Sequence, residues 1–141
     1  ARQRPAAEIL SAYETALRLE PTLTDAHHNL GLFLARQDRL AEALVHFETV
    51  VRLKPHVPDP RLTIVRAFLT ARRPLDARPY LEETLRLFPA SPDAHLLHGN
   101  CLAYLNDYPA AVAAFERALA LRPDFPDARA NLAIIRARLP Q

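Results

Sequence analysis

The sequence of 141 residues contains no methionine, no tryptophan, one cysteine and two glycines. A lone cysteine, Cys101, excludes an internal disulfide and leaves the cell compartment open. No glycine-rich phosphate loop and no nucleophile elbow occur in the sequence. No apolar run is long enough to cross a bilayer, so no membrane partner is expected. The missing methionine, together with a start inside a repeated unit, suggests a fragment or a processed chain.

Charge is nearly balanced and evenly spread along the chain. Eighteen lysines and arginines stand against sixteen aspartates and glutamates, for a formal net charge of +2. Residues 1–70 and 71–141 each carry nine basic and eight acidic side chains, so neither half forms a basic block. No nucleic-acid partner is therefore expected. The preference for arginine over lysine fits a coding bias as well as a recognition device.

Histidines are the candidates for a metal or catalytic site. His95 and His98 lie three residues apart, near enough on one helix to share a metal ion, but both occupy positions that packing residues fill elsewhere. No cysteine or second cluster completes a ligand set. His27 repeats the position of His95, and His28 points elsewhere. We therefore expect no enzymatic activity, no cofactor and no metal site.

What the sequence does contain is a strict internal period. Pro21, Pro55, Pro89 and Pro123 recur at equal intervals, and each follows a leucine two residues earlier. A fixed period of this length marks a chain of stacked supersecondary units, in which stability comes from contacts between neighbours. Further columns of the same register are Ala43, Ala77 and Ala111, then Phe47, Leu81 and Phe115.

Apolar spacing inside one unit predicts two helices joined by a turn. Leu30 and Leu34 have helical spacing, as do Ala43 and Phe47, and the polar stretch 36–39 separates the two runs. An aspartate recurs just after each proline-containing connection, where it predicts a cap or first-turn role; these residues are Asp25, Asp59, Asp93 and Asp127.

Prolines set the helix boundaries, because a proline inside a helix removes a hydrogen bond. Pro109 is expected to open a helix. Pro79 falls inside the helix predicted from Asp76 to Leu87, where it should delay or bend the first turn. The lone Cys101 shares a column with packing residues, which predicts a small buried thiol.

The period and the order of residue types resemble the tetratricopeptide repeat. The unit 24–57 matches best, and the unit 92–125 follows, with His98 where leucine is expected. The unit 58–91 departs most, with Arg61 in place of an aromatic residue, Val65 in place of glycine, and Arg72 in a connection where glycine is usual.

The resemblance implies an all-α fold, a right-handed superhelical solenoid of antiparallel helix pairs. It would contain about eight helices in three full repeats and two half repeats, forming one domain over residues 1–141. The expected division is a trailing half repeat at 1–23, full repeats at 24–57, 58–91 and 92–125, and a terminal capping helix at 126–141.

The first helix of each unit has one face that its packing columns leave unused. In the tetratricopeptide repeat family this face lines a concave groove that binds peptides, so the resemblance implies a groove here. The alternative is that the leucines of this face only thicken the packing between helices. The expected groove residues are His28, Asn29, Leu32, Arg36, Leu62, Arg66, Leu69, Thr70, Leu96, Asn100, Tyr104 and Arg138.

Two narrower family functions can be compared with these columns. The carboxylate clamp of chaperone-tail adaptors is absent, since the matching positions in the first complete units are His28, Leu32, Thr63, Asp93 and Leu97. The asparagine ladder of O-linked N-acetylglucosamine transferases is at most partial. Asn29 and Asn131 match it, whereas Thr63 and Leu97 do not.

The resemblance favours a protein–protein interaction module that binds a peptide or protein segment and has no catalysis of its own. We expect apolar anchors and at least one carboxylate in the ligand. One alternative is a scaffold that self-associates weakly through its terminal helices, with Leu132, Ile134 and Ile135 exposed at one end. Another is the substrate-recruiting arm of a larger enzyme such as a glycosyltransferase.

Overall fold

The computed structural model describes residues 4–140, and this part of the chain forms eight α-helices and no strand. The prediction of an all-α chain of repeated helix pairs is therefore confirmed. Residues 1–3 and 141, at the outer ends of the two predicted half repeats, lie outside the described part. The helices are α1 (Ala6–Leu19), α2 (Thr24–Arg36), α3 (Leu40–Leu53), α4 (Asp59–Thr70), α5 (Pro74–Leu87), α6 (Pro92–Tyr104), α7 (Tyr108–Leu121) and α8 (Pro126–Arg138).

The chain divides into two compact units, Ala1–Pro60 and Arg61–Gln141, called unit 1 and unit 2 below. In unit 1, α2 packs against both α1 and α3. In unit 2, α6 packs against α5, α7 and α8, and α7 also contacts α8. Each helix of these sets therefore packs against at least one neighbour in the chain, as expected for repeated helix pairs.

The turn inside each repeat has the same geometry. Asp38, Arg72 and Asn106 occupy equivalent positions of successive repeats and have positive φ angles of 59°, 59° and 63°. The next residue in each turn donates its backbone N–H to a carbonyl five residues back, a Schellman turn that reverses the chain and makes the two helices antiparallel. These bonds run from Arg39 to Leu34 (2.9 Å), from Arg73 to Phe68 (2.8 Å) and from Asp107 to Leu102 (2.9 Å).

The proline connections between repeats are tied by side chains. His27 Nε2 lies 2.7 Å from the Pro21 carbonyl oxygen and donates to it. His95 Nε2 makes the same bond to Pro89 over 2.8 Å. Arg129 Nη2 takes this role in the last connection, where it donates to the carbonyl of Pro123 over 3.1 Å. This column is thus a hydrogen-bonding position, a role that the sequence reading missed.

The recurrent aspartates occupy first turns, and other residues cap α6 and α7. Asp25, Asp59, Asp93 and Asp127 all lie in the first turn of their helices. The Oγ of Ser91 accepts the N–H of Ala94 over 3.2 Å at the start of α6. At the start of α7, Asp107 Oδ1 accepts the N–H of Ala110 over 3.3 Å. The first-turn prediction is confirmed, because α4 begins at its aspartate and the other three helices begin one residue before theirs.

Two prolines test the predicted helix boundaries. Pro109 lies at the start of α7, as predicted. The start predicted for α5 at Asp76 is wrong, since this helix begins at Pro74 and continues through Pro79. The ring of Pro79 leaves the carbonyl of Leu75 without its usual helical partner. Leu75 is 65% exposed, so water can replace that bond.

Both glycines lie where a helix meets a phenylalanine ring of its partner. A Cβ atom on Gly31 would collide with Cε1 of Phe47, and one on Gly99 would stand 2.5 Å from Phe115 Cε1. Both rings are buried, with 1% and 0% exposure. In the middle repeat these two columns hold Val65 and Leu81, which are fully buried. A smaller partner thus accompanies the larger residue in the glycine column.

The last helix hides most of its apolar face. Leu132 and Ile135 are each only 6% exposed, because they join the core of unit 2 with residues of α6 and α7. Ile134 is 54% exposed. The expectation that all three residues are uncovered is therefore wrong for Leu132 and Ile135. Less apolar surface remains on α8 for stacking with another copy.

Candidate functional site

A cavity of about 600 Å³ opens in unit 2 on the first-helix face of the repeats. Its size falls within the range of about 300–1,000 Å³ that is usual for ligand sites. Four helices contribute to it, and α4, α6 and α8 supply all but one of the side chains. The lining consists of Arg66, Leu69, Thr70, Leu97, Asn100, Ala103, Tyr104, Phe115, Asn131, Ile134, Ile135 and Arg138.

The repeat period explains why these residues meet. Arg66, Asn100 and Ile134 are equivalent residues of successive repeats and occupy one column of the alignment. A second column, one helical turn further along, contributes three more lining residues. These are Thr70, Tyr104 and Arg138. Stacked repeats place equivalent residues side by side, so two neighbouring columns form a continuous strip.

Charge in this cavity has one sign. Arg66 and Arg138 are both exposed, and no aspartate or glutamate is among the described residues that line the cavity. The site therefore has a positive potential although the whole chain is nearly neutral. Such a site attracts a carboxylate.

Two asparagines face each other inside the cavity. Asn131 Nδ2 donates to Asn100 Oδ1 over 2.9 Å, and both residues are partly buried. This bond uses one donor and one acceptor, which leaves the Asn100 amide group as a donor and the Asn131 oxygen as an acceptor. Exchanging oxygen and nitrogen in both amides would also leave one group of each kind. The pair therefore matches the donor and the acceptor of a peptide bond.

Two large apolar side chains are available at the opening. Tyr104 is 55% exposed and Ile134 is 54% exposed. Below them the lining is closed by buried side chains, among them Phe115 at 0%. Exposed apolar residues above a buried floor are typical of surfaces that bind a partner.

Half of the expected groove residues meet in this cavity. Arg66, Leu69, Thr70, Asn100, Tyr104 and Arg138 line it. Leu62 and Leu96, with 0% and 8% exposure, do not, and their burial fits the packing alternative. In unit 1, Asn29 and Arg36 are exposed, whereas His28 and Leu32 are half-buried. The His28 ring lies 6.2 Å from that of Phe47.

Six lining residues were not among the expected groove residues. Two of them share a column, since Leu97 and Asn131 are equivalent residues of neighbouring repeats. That column directly precedes the packing column of Leu30 and Leu132, and Asn29 was expected in the groove from the same column. The comparison with the asparagine ladder names both residues, but it does not place them among the expected groove residues. Phe115 lies on a second helix, and the pattern of first-helix columns contains no signal for it.

The candidate metal ligands have structural roles. His98 is half-buried, and this burial, helped by the neighbouring His95 and Arg78, lowers its pKa, while Glu82 opposes the shift. Cys101 is buried as predicted, and burial raises the pKa of its thiol. Its Sγ–H donates to the Pro74 carbonyl over 3.4 Å. Within residues 4–140 no group of three or more His, Cys, Asp or Glu side chains could hold a metal ion.

None of the helices described between residues 4 and 140 is both long and apolar enough to span a bilayer.

Comparison with protein families identifies one kind of repeat along the chain. Two tetratricopeptide repeat profiles match, one over residues 62–124 and again over 98–141, the other over residues 12–45. The cavity of unit 2 lies inside the region matched by the first profile. A search of curated proteins finds no significant sequence match.

Several solved structures share the fold at low sequence identity. The first tetratricopeptide repeat domain of human RPAP3 is 19% identical, with a TM-score of 0.72, over 83% of this chain and 92% of that one. The corresponding domain of Arabidopsis OM64 is 18% identical, with a TM-score of 0.68, over 82% and 96% of the two chains. The second domain of human RPAP3, solved in complex with the HSP70 peptide SGPTIEEVD, is 16% identical, with a TM-score of 0.67, over 78% and 92%.

Proposed function

Because the chain belongs to the tetratricopeptide repeat family, whose domains are protein–protein interaction modules, we propose that unit 2 binds an extended peptide segment of a partner protein. The proposed site is the cavity lined by α4, α6 and α8. One observation carries the proposal. Two arginines, a hydrogen-bonded asparagine pair and exposed apolar side chains meet in one cavity of peptide-binding size.

Apolar anchors of the peptide supply most of the affinity. Tyr104 and Ile134 leave about half of their surfaces uncovered, and an aliphatic side chain placed between them removes apolar area from water. Tyrosine is also among the residues that most often dominate binding energy at interfaces. Truncation of Tyr104 should therefore weaken binding roughly tenfold, which corresponds to about 1.4 kcal/mol.

A carboxylate of the peptide adds specificity. Arg66 and Arg138 are exposed, so each ion pair with a ligand contributes on the order of 0.2–1 kcal/mol and is screened by salt. Loss of one arginine should weaken binding by up to about fivefold. Raising the salt concentration should weaken binding only in part, since the apolar contacts do not depend on it.

The asparagine pair favours an extended ligand. An extended peptide presents its N–H and C=O groups to its surroundings, whereas a helix uses them internally. Asn100 and Asn131 together can donate to one carbonyl and accept from one N–H of such a backbone. This contact reads the backbone and leaves the choice of side chains to the arginines and the apolar residues.

A structural neighbour supports this type of ligand. The second domain of RPAP3 was solved with a peptide whose sequence, SGPTIEEVD, combines isoleucine and valine with three acidic side chains. At 16% identity the likeness concerns the fold, so the chemistry proposed here depends on the lining residues of this chain.

Selection from a random peptide library provides the test. The wild-type chain is used as bait, and the double variant Arg66→Ala/Arg138→Ala removes peptides that do not require the two arginines. We expect the enriched peptides to contain an Asp or Glu next to Ile, Leu or Val. Calorimetry on one such peptide should then show the losses given above for Tyr104→Ala and Arg66→Ala.

Arg117→Ala is the matched control, since Arg117 is an exposed arginine of α7 outside the cavity lining. Its affinity should equal that of the wild type. The proposal is wrong if the selected peptides lack carboxylates, or if Tyr104→Ala and Arg66→Ala bind as tightly as the wild type.

A further inference from the structure

A second cavity, of about 500 Å³, lies in unit 1 and is separate from the proposed peptide site. Leu30 and Leu34 of α2 are each 3% exposed and form its floor. Half-buried leucines of α1 and the 62% exposed Val45 of α3 form its apolar walls. The remaining lining residues are polar: Glu14, Arg18, Arg39, Glu42 and His46.

The rim carries no net charge. Two acidic and two basic side chains line it, and Arg39 pairs with Glu42 at 2.5 Å. A charged ligand would therefore meet as much repulsion as attraction at this opening. The cavity suits a neutral, mainly apolar group.

Hydrogen bonds fix the proton positions on His46, the histidine that lines this cavity. The Pro21 carbonyl can only accept, so His27 Nε2 carries the proton of their 2.7 Å contact. His27 Nδ1 is then an acceptor in the neutral ring. It lies 3.0 Å from His46 Nδ1, which must therefore be the donor. The other ring nitrogen of His46, Nε2, is left as an unprotonated acceptor.

His46 remains neutral in this position. Burial and the nearby His27 lower its pKa, and the opposing influence of Glu42 is smaller. Its Nδ1 already carries the hydrogen of the 3.0 Å contact, so a further proton would have to enter at Nε2. The cavity thus combines apolar walls with a neutral hydrogen-bond acceptor.

We propose that the unit 1 cavity binds a tryptophan side chain of a partner protein, with the indole N–H donating to His46 Nε2. Indole is a flat, neutral, apolar ring system with a single donor and no acceptor, which matches these walls and the neutral rim. Phenylalanine offers no donor. A lysine or arginine would bring a charge that the neutral rim does not balance.

Indole and 1-methylindole distinguish this proposal from simple apolar binding. They differ in the single N–H, and the chain has no tryptophan to interfere with indole fluorescence. In the wild-type chain we expect 1-methylindole to bind three- to tenfold more weakly, as expected for the loss of one hydrogen bond. In His46→Phe the two probes should bind equally. NMR amide shifts should locate the indole at α1, α2 and α3.

Two further variants complete the experiment. His56→Phe makes the same chemical change at an exposed turn outside the cavity, and it should keep the preference for indole. Val45→Phe adds bulk at an exposed position of the opening and should abolish indole binding without unfolding the chain. Finally, a neutral peptide with one tryptophan should compete with indole.

Equal binding of the two probes by the wild-type chain would overturn the proposal, whether or not His46→Phe folds. Unchanged indole binding by Val45→Phe, or failure of the tryptophan peptide to compete, would also overturn it. The peptide selection on unit 2 uses different residues, so failure at one site does not decide the other.

Discussion

Gly99→Ala tests how tightly the helix pair α6 and α7 is packed. The new Cβ would stand 2.5 Å from Phe115 Cε1, well inside contact distance, and Phe115 is fully buried. Overpacking of this kind costs about 1–3 kcal/mol. Alanine is better than glycine inside a helix by about 1 kcal/mol, which offsets part of that cost. We expect a net loss of up to about 2 kcal/mol in the free energy of unfolding.

A second substitution separates packing from helix propensity. Phe115→Leu removes the ring atoms that the new methyl group would meet and imitates the middle repeat, where Val65 and Leu81 occupy these columns. In that background Gly99→Ala should raise stability by about 1 kcal/mol, the propensity gain alone. The coupling energy between the two sites should then be about 1–3 kcal/mol, the cost of the overpacking itself.

Urea unfolding followed by circular dichroism measures all four proteins of this cycle. Constant slopes against urea concentration are needed, because repeat proteins can unfold in several steps. Ala113→Gly, at an exposed position of α7, is the control for propensity and should cost about 1 kcal/mol. A stabilising Gly99→Ala in the wild-type background, or additive effects of the two substitutions, would refute the packing argument.

Three further outcomes are expected. His46 and His98 have pKa values below their ordinary 6.5, so the unfolded chain binds protons first, and their stabilisation is lost as the pH falls below about 6.5. The urea midpoint should therefore drop between about pH 7 and pH 5. The drop should be smaller in His46→Gln, whereas the exposed control His56→Gln should show the same drop as the wild type. Arg72→Gly should stabilise the chain by up to about 1 kcal/mol and raise the urea midpoint, since glycine adopts a positive φ without the strain that arginine carries. An unchanged or lower midpoint would contradict this. Asp107→Ala should lower the free energy of unfolding by about 1 kcal/mol, because it removes the side chain that caps α7. Asp107→Asn should retain most of this stabilisation, because an amide oxygen can accept the same N–H.

The fold could be predicted because the same pattern of residue types recurs in each repeat. Four prolines in register and alternating apolar faces leave little freedom in the order of helices and turns. The sequence could not distinguish a cap from a first-turn carboxylate, because Asp93 and Ser91 both suit the start of α6 and only the geometry of the N–H groups selects Ser91. The prediction for α5 began two residues late, because it did not use Pro74, which suits the first position of a helix.

The candidate site could be predicted only in part. Arg66, Asn100 and Tyr104 were found because their columns lie beside the packing columns of the first helix. Leu62 and Leu96 lie at the edge of the same face, where a shift of one position separates burial from exposure. Sequence spacing gives the angle of a residue around its helix, but it does not show whether side chains of neighbouring helices cover that residue. The proton arrangement of His27 and His46 depends on a 3.0 Å contact across 19 residues of sequence, which no local pattern reveals.

The side-chain hydrogen bonds to the proline carbonyls do not depend on the charge of the donor residue. Neutral His27 and His95 donate through Nε2, and protonated histidine has a hydrogen on both ring nitrogens, so these bonds persist in either charge state. Arg129 is always a donor. The His46 Nδ1–H that donates to His27 likewise remains when a proton enters at His46 Nε2. Charging the half-buried His46 in acid therefore weakens unit 1 through the cost of burying the charge, while these hydrogen bonds stay in place.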